Sequence, residues 1–252
     1  MTRPVEDNAI VLNLVAGSDG ADLGARAAPT IDYRSALGES FAGLTIGVVR
    51  HFHERDGPAD EEIAQAPDAA FAVLEDLSAT LKDIELAPLE DYTSCNRTIL
   101  SFESYRIHTR WLAERADEYG ALARERIGNG ASMSAENCAD ALARRVDLSE
   151  EMEQCLEGLD ALVCASGMTP AYSIDDAHEI ARSYMRHART PFNVTGHPAL
   201  AVPIGFSDHG LPLGMRIAGH VFSEAMLYRI GHAYEQACGW HRHHPGDLEL
   251  AS

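Results

Sequence analysis

Lysine is almost missing from this sequence: Lys82 is the only one, and the remaining positive charge is arginine. Lys plus Arg total 20 against 39 Asp plus Glu, a formal net charge of −19. So acidic a chain repels a phosphate backbone, and nucleic acid is not an expected partner. Cysteine is sparse and unpatterned. Cys95, Cys138, Cys155, Cys164 and Cys238 are odd in number and contain no C-x-x-C pair, which fits free thiols in a reducing compartment and argues against a disulfide or zinc framework. No apolar run approaches the ~20 residues that cross a bilayer, and the opening M-T-R-P-V-E-D-N has neither the basic start nor the small-residue cleavage site of a signal peptide. A cytoplasmic protein without a membrane partner is expected. A G-x-S-x-G elbow, a P-loop and a dinucleotide fingerprint are also missing, so no cofactor is expected.

What is present suits an ordinary folded core: 46% of the 252 residues are hydrophobic and 23% charged, enough to bury a sizeable interior. Pro4 suits a first helical turn with Glu6 and Asp7 near its positive end, and Val5, Ala9, Leu12 and Ala16 give that helix an apolar face ending at Gly17. Leu44 to Val49 reads as a buried strand. Ile63, Ala70, Leu74, Leu77 and Leu81 then recur at helical spacing, interrupted by Pro67, which restarts or kinks the helix. Ile84 to Leu86 reads as a second strand, and strand, helix, strand suggests a crossover unit. Residues 92 to 158 carry almost no strand signal and read as a helical layer, broken at Gly128 to Gly130 and restarted at Ser134 with Asn137. Asp160 to Cys164 is a strand again, followed by a loop and a helical segment to about Ala188. Two more strands, A-L-A-V-P-I-G-F and L-G-M-R-I-A-G, precede a final helix over Glu224 to Cys238. No internal repeat, low-complexity tract or dividing linker is visible, so a single domain over 1–252 is expected.

The most specific segment is T-P-F-N-V-T-G-H-P-A-L-A-V-P-I-G-F, Thr190 to Phe206, with G-L-P-L-G-M-R-I-A-G-H-V-F-S-E, Gly210 to Glu224. Gly196, Gly205, Gly210 and Gly214 suit tight backbone conformations, and Pro198 and Pro203 suit strand starts or edges. Together the two runs resemble the C-terminal signature of the amidase-signature hydrolases, in which an Asn-x-x-Gly turn leads into two strands joined by a Gly-Leu-Pro turn and then a terminal helix. The resemblance extends upstream. R-P-V-E-D-N-A-I-V-L-N-L-V-A-G-S-D-G-A-D is similar to that family's post-catalytic helix and Gly-x-Asp loop, L-T-I-G-V-V to the following strand, and E-Y-G-A-L-A-R-E-R-I-G-N-G to its helical insert. Departures are Pro4 in place of a hydroxyl cap, D-A-L-V-C-A-S in place of a strand ending in Thr-Pro, and Arg216 where Gln is common. Within the turn, the Asn193 side chain is expected to satisfy backbone groups, and Gly196 to need a conformation costly for a residue with Cβ.

The resemblance implies hydrolysis of amides by a serine nucleophile, assisted by a second serine and a neutral lysine, with backbone N–H groups of a Gly- and Ser-rich loop holding the oxyanion. No G-G-S-S-like run occurs in these residues, and Lys82, flanked by an acid in T-L-K-D-I-E, reads as a solvated surface lysine. Other candidates read as structural too. His241, His243 and His244 lack a companion carboxylate or cysteine at helical spacing and fit a polar tail better than a metal site. Cys164 has no activating base in the sequence and fits core packing. Glu103, with Tyr105 and His108, fits the exposed face of a long helix better than a cleft wall. No catalytic, cofactor-binding or metal-ligating residue is therefore assigned.

The expected fold is α/β, a mixed sheet segment covered by helices and corresponding to the C-terminal half of an amidase-signature domain. Two functions stay open. One is a portion of a C–N hydrolase acting on a small carboxylic amide, completed by an N-terminal amidase half. The other is a non-catalytic remnant that binds a partner, that half or a second copy of itself, through the exposed half-sheet surface.

Overall fold

The computed structural model describes residues 2–18 and 31–243. In chain order it contains α1 (Val5–Val15), β1 (Thr45–Val49), α2 (Glu61–Ala64), α3 (Ala66–Asp76), β2 (Thr80–Asp83), α4 (Leu89–Glu114), α5 (Ala121–Gly128), α6 (Ala135–Leu156), β3 (Ala161–Ala165), α7 (Ala177–Ser183), α8 (Thr190–Thr195), β4 (Ala199–Phe206), β5 (Pro212–Ala218) and α9 (Glu224–Cys238). These elements fall into two compact units. The first holds residues 1–85, 156–189 and 197–252, and the second holds 86–155 and 190–196.

The first unit is built on a five-stranded sheet of order β2-β1-β3-β5-β4. β1 pairs parallel with β2 and β3, and β5 pairs antiparallel with β3 and β4. The crossover expected from strand, helix, strand is therefore present as β1, α3, β2. The β-branched and apolar residues of β1 and β3 explain their central place, since Ile46, Val48, Ala161 and Val163 are almost wholly buried. They form one core with Phe71 and Leu74 of α3, Met215 and Ile217 of β5, and Leu227, Ile230 and Tyr234 of α9. Pro203 lies on β4, at the edge of the sheet, where a missing N–H is tolerated.

Local chemistry departs from the pattern reading at two places in this unit. The second strand is Thr80–Asp83, not Ile84 to Leu86. Ser78 takes φ +75 and ends the helical run, and Thr80 N–H already donates to Leu44 O at 2.8 Å, so Leu81 is a strand residue. The helix expected to reach Ala188 stops at Ser183. Beyond it, Met168 N–H donates to Arg186 O (3.0 Å) and Ala188 N–H to Ser166 O (3.1 Å), which holds 186–188 extended.

Pro4 leaves α1 without a side-chain cap. The buried carboxylate of Glu235 on α9 takes that role from across the fold, accepting from Val5 N–H at 2.9 Å. The same corner binds Arg3, whose Nη2 donates to His241 O (2.9 Å) and His243 O (2.7 Å).

The second unit is helical, as expected for the layer from about 92. Tyr92, Cys95, Cys138, Leu148 and Met152 are buried in it. The restart at α6 is a reciprocal cap: Ser134 Oγ accepts from Asn137 N–H, and Asn137 Oδ1 accepts from Ser134 N–H, both at 3.0 Å. The break before it has a steric cause, because a Cβ on Gly130 would lie 2.0 Å from Ser101 O on α4. Arg144 joins Asp91 (2.8 Å) and Glu151 (2.7 Å) across α4 and α6. The segment expected to be an Asn-x-x-Gly turn is a short helix, α8, with Pro191 in its first turn. Asn193 is exposed on it, and among the described residues its side chain makes no hydrogen bond. Gly196 closes the helix at φ +76, donating to Phe192 O at 2.9 Å, which is the conformation expected of it.

Candidate functional site

Within the first unit an open cleft of about 520 Å³ lies just past the C-terminal end of β3, the side of an α/β sheet where ligands usually bind. Its floor is tied by main-chain bonds to the interior strand β5 and to the segment that follows α7. Ser166 N–H donates to Gly214 O at 2.8 Å, and Gly167 forms an antiparallel bridge with His187. One flank is anchored by Arg186, whose Nη1 donates to Asp60 Oδ1 (2.9 Å) and whose Nη2 donates to Pro58 O (2.6 Å). Val202, Pro203 and Leu213 supply an apolar wall.

Three buried polar atoms of this cleft are not so served. Arg216 enters from β5, in register with Cys164 on β3 and Ala201 on β4. Its Nε is buried with no hydrogen-bond partner, as are His187 Nδ1 and Ser183 Oγ. Arg189 lies over the Tyr184 ring at 5.8 Å. Among the described residues neither Arg216 nor Arg189 pairs with a carboxylate, and no Asp or Glu lines the cleft. Burial, chiefly, pulls the pKa of Arg216 below the usual arginine value, with Arg189 acting in the same sense and Cys164 opposing. Arginine nevertheless stays charged. Burial also lowers His187 to about 4, with Arg189 and Arg216 adding to the effect, so the imidazole is neutral at pH 7. The result is a cationic, partly apolar cleft in an acidic chain.

The residues weighed from sequence lie elsewhere or take structural roles. Lys82 is exposed on β2. Cys164 is fully buried and its thiol is pushed up to about 12 by burial, so it is not a thiolate nucleophile at neutral pH. Glu103 is exposed on α4, while His108 is half-buried, its Nδ1 2.8 Å from Tyr119 Oη and its ring edge-on to Trp111. His241 Nδ1 sits 3.9 Å from Glu235 Oε2, and the His243 ring packs against Phe206 and Trp240. His244 lies outside the described residues, as do Asp19 to Asp22 of the Gly-x-Asp resemblance. Among the described residues no group of three or more His, Cys, Asp and Glu is placed to hold a metal ion. Of the cleft residues, the sequence marked Arg216, and Ser166 within D-A-L-V-C-A-S, as departures from the family pattern, and Pro203 and Gly214 only for their backbone geometry; His187, Arg189 and Ser183 were not marked.

Comparison with known proteins gives one consistent result. A glutamyl-tRNA(Gln) amidotransferase subunit from Geobacillus kaustophilus is 31% identical over 97% of this chain and 55% of its own length. The protein of the same description from Microcystis aeruginosa is 32% identical over 96% and 55%. This chain thus spans about half the length of the curated relatives it matches. Among solved structures, 6-aminohexanoate cyclic dimer hydrolase superposes with a TM-score of 0.83 at 24% identity, over 97% of this chain and 55% of that one. A bacterial aryl acylamidase of the amidase-signature enzymes gives 0.80 at 21%, over 96% and 53%. These structural likenesses carry the fold, a mixed α/β sheet with many helices. The family model described as Amidase matches residues 1–228, and the chain belongs to the amidase family.

Proposed function

We propose that the chain is the C-terminal portion of an amidase-like C–N hydrolase acting on carboxylic amides. In this reading it supplies sheet scaffold and cleft wall, while another polypeptide segment supplies the nucleophile, and the chain is inactive alone. The observation that carries it is the partial alignment: the family match runs through residues 1–228, yet the relatives extend to about twice the aligned length. Two facts support it. The 252 residues hold no Gly- and Ser-rich run with adjacent serines, and the two nucleophilic or basic groups weighed for the chemistry are unsuited, Lys82 by exposure and Cys164 by burial. The relatives' name specifies a tRNA-borne substrate. In this chain a net charge of −19 opposes binding such a polyanion, so we read the substrate as a small amide; the free cysteines support the cytoplasm as the compartment. Among the described residues no helix is long and apolar enough to cross a membrane.

A second reading, a complementing subunit or non-catalytic remnant, is favoured by one surface. Ile10, Val11, Leu14 and Val15 of α1 are 38%, 46%, 80% and 69% exposed, an apolar stripe of the kind that marks a contact face. Both readings expect a covering partner, an N-terminal amidase half or another copy of the chain. The test adds a polypeptide carrying the part of the G. kaustophilus relative that lies outside the alignment. Sedimentation is expected to show a compact complex, and hydrolysis of a simple amide is expected to appear with it. A complex without hydrolysis supports the second reading, and a chain that stays a monodisperse monomer contradicts both.

A further inference from the structure

The cationic cleft beside β3 is unusual within its own chain. Acids outnumber bases 39 to 20, and Arg34, Arg50, Arg55, Arg144, Arg182 and Arg186 each take an acidic partner. Among the described residues Arg106, Arg145, Arg189, Arg216 and Arg242 do not; the other four are exposed, whereas Arg216 is half-buried and its buried Nε is left without an acceptor. Burying an unpaired cation is unfavourable unless something else satisfies it. His187, which feels the charge of both arginines, is held neutral and adds a polar nitrogen without adding charge. Val202, Pro203 and Leu213 make the rest of the lining apolar.

We propose that this cleft is a carboxylate-binding subsite. Arg216 and Arg189 hold the anionic end of a small organic acid or acid-amide, and the ligand's apolar body lies against Val202, Pro203 and Leu213. A planar carboxylate matches the donor fork of a guanidinium. A phosphate can use the same fork, but it gains no backbone nest here, because the N–H groups of Ser166, Met168 and Ala188 are already committed to carbonyls. The subsite stands apart from the hydrolase reading. A chain that binds carboxylates and never supports hydrolysis counts against that reading alone.

The experiment is calorimetric titration of the full 252-residue chain with glutarate, with the uncharged isostere glutaramide, and with inorganic phosphate. Saturable binding of glutarate, at least tenfold tighter than either of the others, is expected. Arg216→Gln should weaken it at least tenfold while melting no lower than the parent, because a binding arginine without a protein partner contributes nothing to the fold. Arg189→Gln, at an exposed position, should also weaken it and decides the matter if Arg216→Gln does not fold. Arg182→Gln, on α7 and paired with Glu179, should leave binding unchanged. The proposal is overturned if glutarate and glutaramide bind alike or not at all. It is also overturned if phosphate binds more tightly, or if Arg216→Gln lowers the melting temperature and leaves binding intact.

Discussion

Two places in the sheet unit bury polar groups, and they are finished differently. At the corner where α1 meets α9, Glu235 accepts from Val5 N–H, Arg3 spans two carbonyls, and Tyr228 Oη donates to Asn8 Oδ1 at 2.7 Å. His241 Nδ1 is the one atom named at that corner without a hydrogen bond, and it lies 3.9 Å from the Glu235 carboxylate, whereas in the cleft beside β3 Arg216 Nε, His187 Nδ1 and Ser183 Oγ all have no partner. The first arrangement is what a fold requires of buried polar atoms. The second leaves a desolvation cost uncompensated, which is tolerated where a ligand restores the balance. Neither buried polarity nor a missing partner marks a functional site by itself, since His53, Ser223, His232 and His241 also carry a buried atom without one; what sets the cleft apart is three such atoms lining one open cavity.

The contrast can be broken by pH. His187 titrates at about 4 in the folded chain against 6.5 as a free group. Its folded pKa is depressed, so the unfolded state binds the extra proton. The stability it reports is complete above about pH 6.5 and declines as pH falls from there toward 4, by about 2 kcal/mol at the limit once solvent screening of a half-buried ring is allowed for. His187→Leu should flatten that part of the stability-versus-pH curve, measured by urea unfolding. An unchanged acid limb would show that the cleft histidine is solvated.

At the corner the expectation has the opposite sign. Glu235→Ala orphans the Val5 N–H at the start of α1 and should cost about 2 kcal/mol at neutral pH, read as a lower denaturation midpoint. If the variant is as stable as the parent, the carboxylate is not the cap of α1. The finest distinction lies inside the cleft. Arg186 is paired with Asp60 and Pro58 O, so Arg186→Gln should destabilise by about 1 kcal/mol, whereas Arg216→Gln should not. Equal thermal shifts for the two would erase the difference drawn between them.

Much of the fold was legible because it rests on local signals. The final helix runs over the residues its periodicity marked, Glu224 to Cys238, since its apolar face is regular and Gly239 takes the left-handed cap at φ +68. Ser134 and Asn137 declared the start of α6 by residue type. The misread strand near residue 84 failed for a physical reason: Leu77 and Leu81 continue the helical spacing by chance, and the chain turns at Ser78, a residue type that seldom takes positive φ. α8 was hidden because a six-residue helix has too few turns for a period, and T-P-F-N-V-T contains turn-forming residues. The cleft was hidden more deeply. Arg216 stood out in the sequence, but His187 and Arg189 reach it through the Gly167–His187 bridge, a pairing between loop residues that leaves no periodic trace.

Whether this amidase-family chain lacks its own nucleophile is tested most directly by assay of the purified chain. With simple carboxylic amides no turnover above the buffer rate is expected, because nucleophile, proton relay and oxyanion donors are jointly required. Measurable hydrolysis abolished by a serine-directed reagent, or lost on Cys164→Ala, would contradict it.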